Sequence, residues 1–166
     1  MTSTFKDPRQ CLILGLGNIL LGDEGLGIRA VEALEKRYKL PPHLSLMDGG
    51  TAGYALIDYL KGLKKVIIID AVKGGMEPGT IYRLSRKDLL EGKKLGLSGH
   101  QVDLQDVLAL AEKLNMLPEV SLIGIEPENM DYNLELSHKI KGALEVAIRE
   151  VAKEAGILNG MPQKEQ

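Results

Sequence analysis

Apolar and polar positions follow two rhythms along this chain. Short, nearly unbroken apolar runs occur at Cys11–Leu16, at Leu44–Met47, within Lys65–Val72 and within Glu119–Ile125, bounded by glycine, proline or acidic residues. Runs of that length between turn signals predict strands, and the β-branched stretch Val66–Ile69 predicts a central strand buried on both faces. Between them the apolar residues return at every third or fourth position. Ile28, Val31, Leu34 and Tyr38 form one such set, followed by Leu104, Val107, Leu108, Ala111 and Leu114. Ile140, Leu144, Ala147, Ile148 and Val151 form the last. Each spacing gathers its apolar residues on one helix face. The first helix should stop before Pro41-Pro42, and the last should run from about Leu136 to Ala155 with Gly156 as its cap.

A shorter helix is expected from Ala52 to Leu60, closed by Gly62, and a strand of mixed polarity at Thr80–Leu84 suits a sheet edge. Residues 86–101 read as irregular. Strands alternating with helices predict an α/β fold, a three-layer αβα sandwich around a mostly parallel, twisted five-stranded sheet. One domain is expected over residues 1–155, followed by a mobile C-terminal tail over 156–166.

Composition removes several alternatives. The 21 basic and 23 acidic residues leave a formal charge of −2, and the basic residues are scattered, so there is no electrostatic footprint for nucleic acid. No apolar run approaches the roughly 20 residues that cross a bilayer. A single cysteine excludes an internal disulfide framework and fits a reducing cytoplasm. Cys11 opens a strand among apolar neighbours with no adjacent cation to activate it, which makes it a small core residue.

Chemistry-capable residues collect where strands end. Asp23 and Glu24 lie in the glycine-rich loop after the first strand, Asp48 ends the second and Asp70 the third, and His100 sits in the irregular loop Ser98-Gly-His-Gln101. Glu126, ending the fifth strand, is a rival for a further site residue. His43 and His138 read as surface residues. Taken singly, an acid at a strand end is most often a solvated turn residue or a helix cap. Together, two carboxylates and an imidazole form an open ligand set for a borderline divalent metal such as zinc or nickel, or an acid–base site. Gly15-Leu-Gly17 after a strand superficially suggests a dinucleotide loop. The third glycine position is Leu20, however, and Asp23 and Glu24 would repel a pyrophosphate.

Five motifs, in order, resemble those of the endopeptidases that mature the large subunit of nickel–iron hydrogenases. They are Gly15-Leu-Gly-Asn-Ile-Leu-Leu-Gly-Asp-Glu-Gly-Leu-Gly27, Asp48-Gly-Gly-Thr51, Val66-Ile-Ile-Ile-Asp-Ala71, Ser98-Gly-His-Gln101 and Gly124-Ile-Glu-Pro127. The first is long and specific, whereas the last two are short. The resemblance implies that Glu24, Asp70 and His100 bind a metal, with Glu24 and Asp70 also catalytic, and that Asp48, Gly49 and Gly50 recognise substrate. It implies hydrolysis of one peptide bond, which removes a C-terminal extension from the precursor of the large subunit after nickel insertion. The nickel would be contributed by the precursor and would serve as the recognition signal, although another divalent metal could occupy the site of the isolated protein.

The metal could polarise the carbonyl or activate water, or it could serve only as an anchor while carboxylates perform the acid–base chemistry. A nickel-dependent chaperone that binds the precursor without cutting it is the alternative, and a generic metallopeptidase is a weaker one. The protein is expected to be a cytoplasmic monomer.

Overall fold

The computed structural model describes residues 10–92, 96–97 and 103–157. The central sheet has the order β2-β1-β3-β6-β4. Its members are β1 (Cys11–Leu16), β2 (Leu44–Gly50), β3 (Lys65–Lys73), β4 (Ile81–Ser85) and β6 (Glu119–Ile125). The strands β1, β2, β3 and β6 run parallel, and the edge strand β4 is antiparallel to β6. A two-residue strand, β5 (Gly96–Leu97), pairs antiparallel with the end of β3. The five-stranded, mostly parallel α/β sheet is therefore as expected, with β5 as a minor addition.

Alternation along the strands sends side chains to two separate cores. Ile13, Ile67, Ile69, Ile123 and Ile125 pack with helix α1 (Leu26–Arg37) and helix α5 (His138–Glu154). Leu12, Leu14, Val66, Ile68 and Leu122 pack on the other face. The helices there are α2 (Leu56–Leu60), α3 (Arg86–Glu91) and α4 (Leu104–Lys113). The β3 run from Val66 to Ile69 is completely buried because both faces are covered.

Two local differences have clear causes. Residues 86–91 form α3 rather than an irregular segment, nucleated by a reciprocal cap in which Ser85 Oγ accepts from the Asp88 amide and Asp88 accepts from the Ser85 amide. At the other end of the chain, Gly156 adopts φ +77°. The Ile157 amide then reaches the Ala152 carbonyl at 2.8 Å and the Gly156 amide reaches Lys153 at 3.1 Å. This helix stop folds Ile157 into the core beside α5, where it is fully buried. The first two residues of the expected tail thus belong to the domain, and residues 158–166 lie outside the described set.

Strand order locates the place for a site. The chain passes from β1 outward to β2 and then returns across to β3, so the order reverses between β1 and β3. In doubly wound sheets the crevice beyond the carboxyl ends of the strands at that reversal is where ligands bind.

Candidate active site

The loop after β1 is held close to the sheet by its glycines. Helix α1 begins directly over the strand ends, where a methyl group at Gly27 would overlap the carbonyl oxygens of both Leu16 and Ile69. Only a residue without a side chain allows this approach. Gly17 turns the chain away from β1 with φ +136°, and a Cβ there would collide with the Glu24 carbonyl. The segment therefore curls back on itself, with the Asn18 amide bonded to the Glu24 carbonyl at 3.3 Å and the Glu24 amide to Leu21 at 3.1 Å. A short 3-10 turn over Gly22–Gly25 results, and it packs against β3.

This turn buries two adjacent acids, and they have different surroundings. Asp23 is fully enclosed and its carboxylate is saturated. Its Oδ2 accepts from the amides of Glu128 (3.0 Å) and Asn129 (2.8 Å) and from Ser137 Oγ (2.7 Å). Its Oδ1 accepts from the Ser137 amide at 2.7 Å. These four bonds tie the loop after β1 to the segment between β6 and α5, so Asp23 is an architectural residue. The sequence grouped it with Glu24 because adjacency says nothing about direction.

Glu24, in the 3-10 turn after β1, is 1% exposed, and Asp70, near the end of β3, is 0% exposed. Pairing of Gly15 with Ile69 sets β1 beside β3, and packing of the 3-10 turn on β3 sets the turn that carries Glu24 against the strand that carries Asp70 at the order reversal. Asp70 Oδ1 accepts from the Ala71 amide at 2.8 Å, which fixes the side chain near the top of β3. Two ionisable side chains held out of water at the sheet edge where ligands gather in such folds make Glu24 and Asp70 candidates for the site.

Asp48 is exposed at the end of β2, where its Oδ1 accepts from the Gly50 amide at 2.9 Å and holds a tight turn. The Gly50 carbonyl accepts from the Gly17 amide at 3.0 Å, which joins this turn to the loop after β1. Between them lies an open depression of about 260 Å3 lined by Gly17, Asn18, Ile19, Ile28, Asp48, Gly50 and Thr51. Gly49 is buried under Leu14 and Leu16, so it shapes the turn and does not face the depression.

Glu126 is occupied elsewhere. It accepts from the Gly74 amide (2.7 Å), the Gly75 amide (3.3 Å) and Tyr82 Oη (2.6 Å), clamping the turn between β3 and β4. His43 and His138 are exposed, as expected. His100 lies outside the described residues, and among the described residues no three His, Cys, Asp or Glu side chains form a metal-binding group. The described part of the candidate metal set is the oxygen pair Glu24 and Asp70, a chemistry that suits hard or borderline cations.

Cys11 begins β1, at the opposite end of that strand from the loop, and burial pushes its thiol up, with Lys65 only partly opposing. Its place at the far end of β1 sets it apart from the turn that holds Glu24. Among the described residues no helix is long and apolar enough to cross a membrane.

Comparison with known proteins shows the family. A family model described as hydrogenase maturation protease matches residues 28–154. The hydrogenase expression/formation protein HupD of Rhodobacter capsulatus is 37% identical over 152 residues, covering 89% of this chain and 71% of that protein. The hydrogenase 2 maturation protease of Escherichia coli K12 is 36% identical over 151 residues, covering 88% of this chain and 92% of its own length. Among solved structures, the hydrogenase maturating endopeptidase HybD from E. coli superimposes with a TM-score of 0.83 at 34% identity, covering 93% of this chain and 98% of that one. The chain belongs to the hydrogenase maturation protease family.

Proposed function

We propose that this protein is an endopeptidase that removes a C-terminal extension from the nickel-loaded precursor of a nickel–iron hydrogenase large subunit. The observation that carries the reading is two buried carboxylates, Glu24 on the turn after β1 and Asp70 on the strand that turn packs against, in a chain of this family. A carboxylate draws a proton from the attacking water and returns it to the leaving amine as the peptide bond breaks, the general-base and general-acid cycle of a carboxylate-dependent endopeptidase. Enclosure strengthens both tasks, because electrostatic interactions gain in a site from which bulk water is excluded.

Nickel belongs to the substrate in this reading. Glu24, Asp70 and His100 are the donors offered to it, and its binding would hold the scissile bond over the carboxylates. The Asp48–Gly50 turn, with the depression beside it, supplies the recognition surface for the incoming polypeptide. The single thiol of the chain fits a reducing compartment, and we place the reaction in the cytoplasm.

The test is mass spectrometry of a large-subunit precursor incubated with this protein, with and without nickel. Loss of a C-terminal peptide only with nickel is expected. Nickel-dependent binding without cleavage would replace the peptidase with a chaperone, and cleavage indifferent to nickel would remove the metal from recognition.

A further inference from the structure

Beside the site, two loops hold large apolar side chains out in solvent. Ile19 and Leu20 follow β1 and are 37% and 47% exposed, while Tyr132 and Leu134 precede α5 and are 76% and 55% exposed. They form one rim, because the loops are joined by backbone. The Gly22 amide donates to the Asn133 carbonyl at 2.8 Å and the Asn133 amide to the Leu20 carbonyl at 3.0 Å. Leu21 and Asn133 thereby make a parallel bridge, with Tyr132 and Leu134 on either side of Asn133. The four bonds to the Asp23 carboxylate fasten the same two loops from beneath.

Scattered exposed apolar residues are ordinary, but a contiguous group rimmed by charge marks an interaction site. Here the charge is acidic. Glu128 and Asp131 are exposed on the loop that carries Tyr132, and among the described residues neither is in an ion pair. The nearby cation Arg29 is already engaged by Glu32 and by the Leu134 carbonyl. The rim is also continuous with the candidate site, since Ile19 lines the depression beside Asp48.

We propose that this rim docks the protein substrate through a segment that carries apolar and basic side chains. The proposal rests on the endopeptidase reading for the identity of that substrate. A protein partner fits better than a small molecule, because the four apolar side chains stand exposed on two loops while Glu24 and Asp70 are buried. Fastening by Asp23 means the apolar groups are ordered before binding, so association does not have to freeze a mobile loop. Glu128 and Asp131 act on encounter and register, and the apolar residues act on dwell time.

The experiment measures Kd of the nickel-loaded precursor for the full-length Glu24→Gln protein, and kcat and KM with Glu24 intact. Two pairs of substitutions are placed in each background, Tyr132→Ser with Leu134→Ser and Glu128→Lys with Asp131→Lys. All four positions are exposed, and thermal unfolding verifies the fold. Each pair is expected to raise Kd and KM at least tenfold, with the loss in KM rather than kcat, and the charge pair should also weaken the salt dependence of Kd. Unchanged KM overturns the assignment, and the KM arm, with Glu24 intact, decides it even where loss of a nickel donor weakens binding to the Glu24→Gln parent. A dimer in sedimentation that the same substitutions dissociate also overturns it, by giving the rim to a second copy of the chain. Rim-dependent binding with no cleavage by the wild type would leave the rim and remove the endopeptidase reading.

Discussion

Asp23 and Glu24 share a peptide bond and an almost complete burial, yet the fold uses them for different purposes. Asp23 spends both carboxylate oxygens on four donors from the segment before α5. Removing such an acceptor leaves buried donors without partners, which costs more than any one bond is worth. Asp23→Ala should therefore destabilise the protein by about 3 kcal/mol or more, read as a fall in the thermal midpoint. A midpoint within a degree of the wild type would show that the loops do not depend on it. Asp23→Asn keeps one good acceptor and should fall between the two. The sequence exposed both acids as unusual, but not this division. Direction within a 3-10 turn depends on Ser137 and Asn129, more than a hundred residues away, and no local pattern encodes that.

Among the elements, α1 is the one whose placement makes the site. Gly27 lets its first turn rest on the ends of β1 and β3, and Gly27→Ala should push the helix off the strands. Overpacking of this kind costs about 1–3 kcal/mol or more. Loss of activity with altered near-ultraviolet circular dichroism is the expected result, and a fully active variant would contradict this seating.

Helix α1 also reaches α5 through Arg37, whose two terminal nitrogens each bond Glu145 at 2.7 Å. The bond to Arg37 holds the Glu145 carboxyl below its usual 4.5. A lowered carboxylate contributes stability that is complete above its unfolded-state value and is lost as pH falls through the folded-state value. Both side chains are more than 40% exposed, so Arg37→Ala should cost only about 0.5 kcal/mol at pH 7. That difference should shrink as unfolding is measured at pH values stepped down below 4.5, and a cost that stays equal throughout would assign it to lost packing instead.

Element boundaries were legible where periodicity was long, as in α1, α4 and α5. Helix α3 was not, because six residues hold too few turns to show a period; its signal was the Ser85-x-x-Asp88 cap alone. The C-terminal stop was half legible. Gly156 marked it, but only the return of Ile157 into the core shows that the domain extends past it. Ile157→Ala should cost about 2–4 kcal/mol in chemical denaturation, where a tail residue would cost almost nothing.

At the scale of the molecule, the sheet explains why residues far apart in sequence meet. Apolar runs and helical periods predicted the layers, but strand order is a long-range property that those patterns do not carry. The order reversal between β1 and β3 is what brings the loop bearing Glu24 to the strand bearing Asp70. The motifs singled out Glu24 and Asp70, and the topology sets the turn that carries one against the strand that carries the other. Asp48 reaches the same edge from β2, which gives the site an open side toward the depression and an enclosed side toward the acids. Glu126, which also ends a strand, is drawn away by the neighbouring turn, so strand-end position alone was not a sufficient criterion.

Whether Glu24 and Asp70 perform the chemistry is decided by incubating the nickel-loaded precursor with wild type, Glu24→Gln and Asp70→Asn, each checked for an intact fold by thermal unfolding. Both variants should fold and each should lose cleavage by at least about a thousandfold, the scale of losing a positioned acid or base together with its electrostatic role. Cleavage by either folded variant at a rate near the wild type would contradict that role.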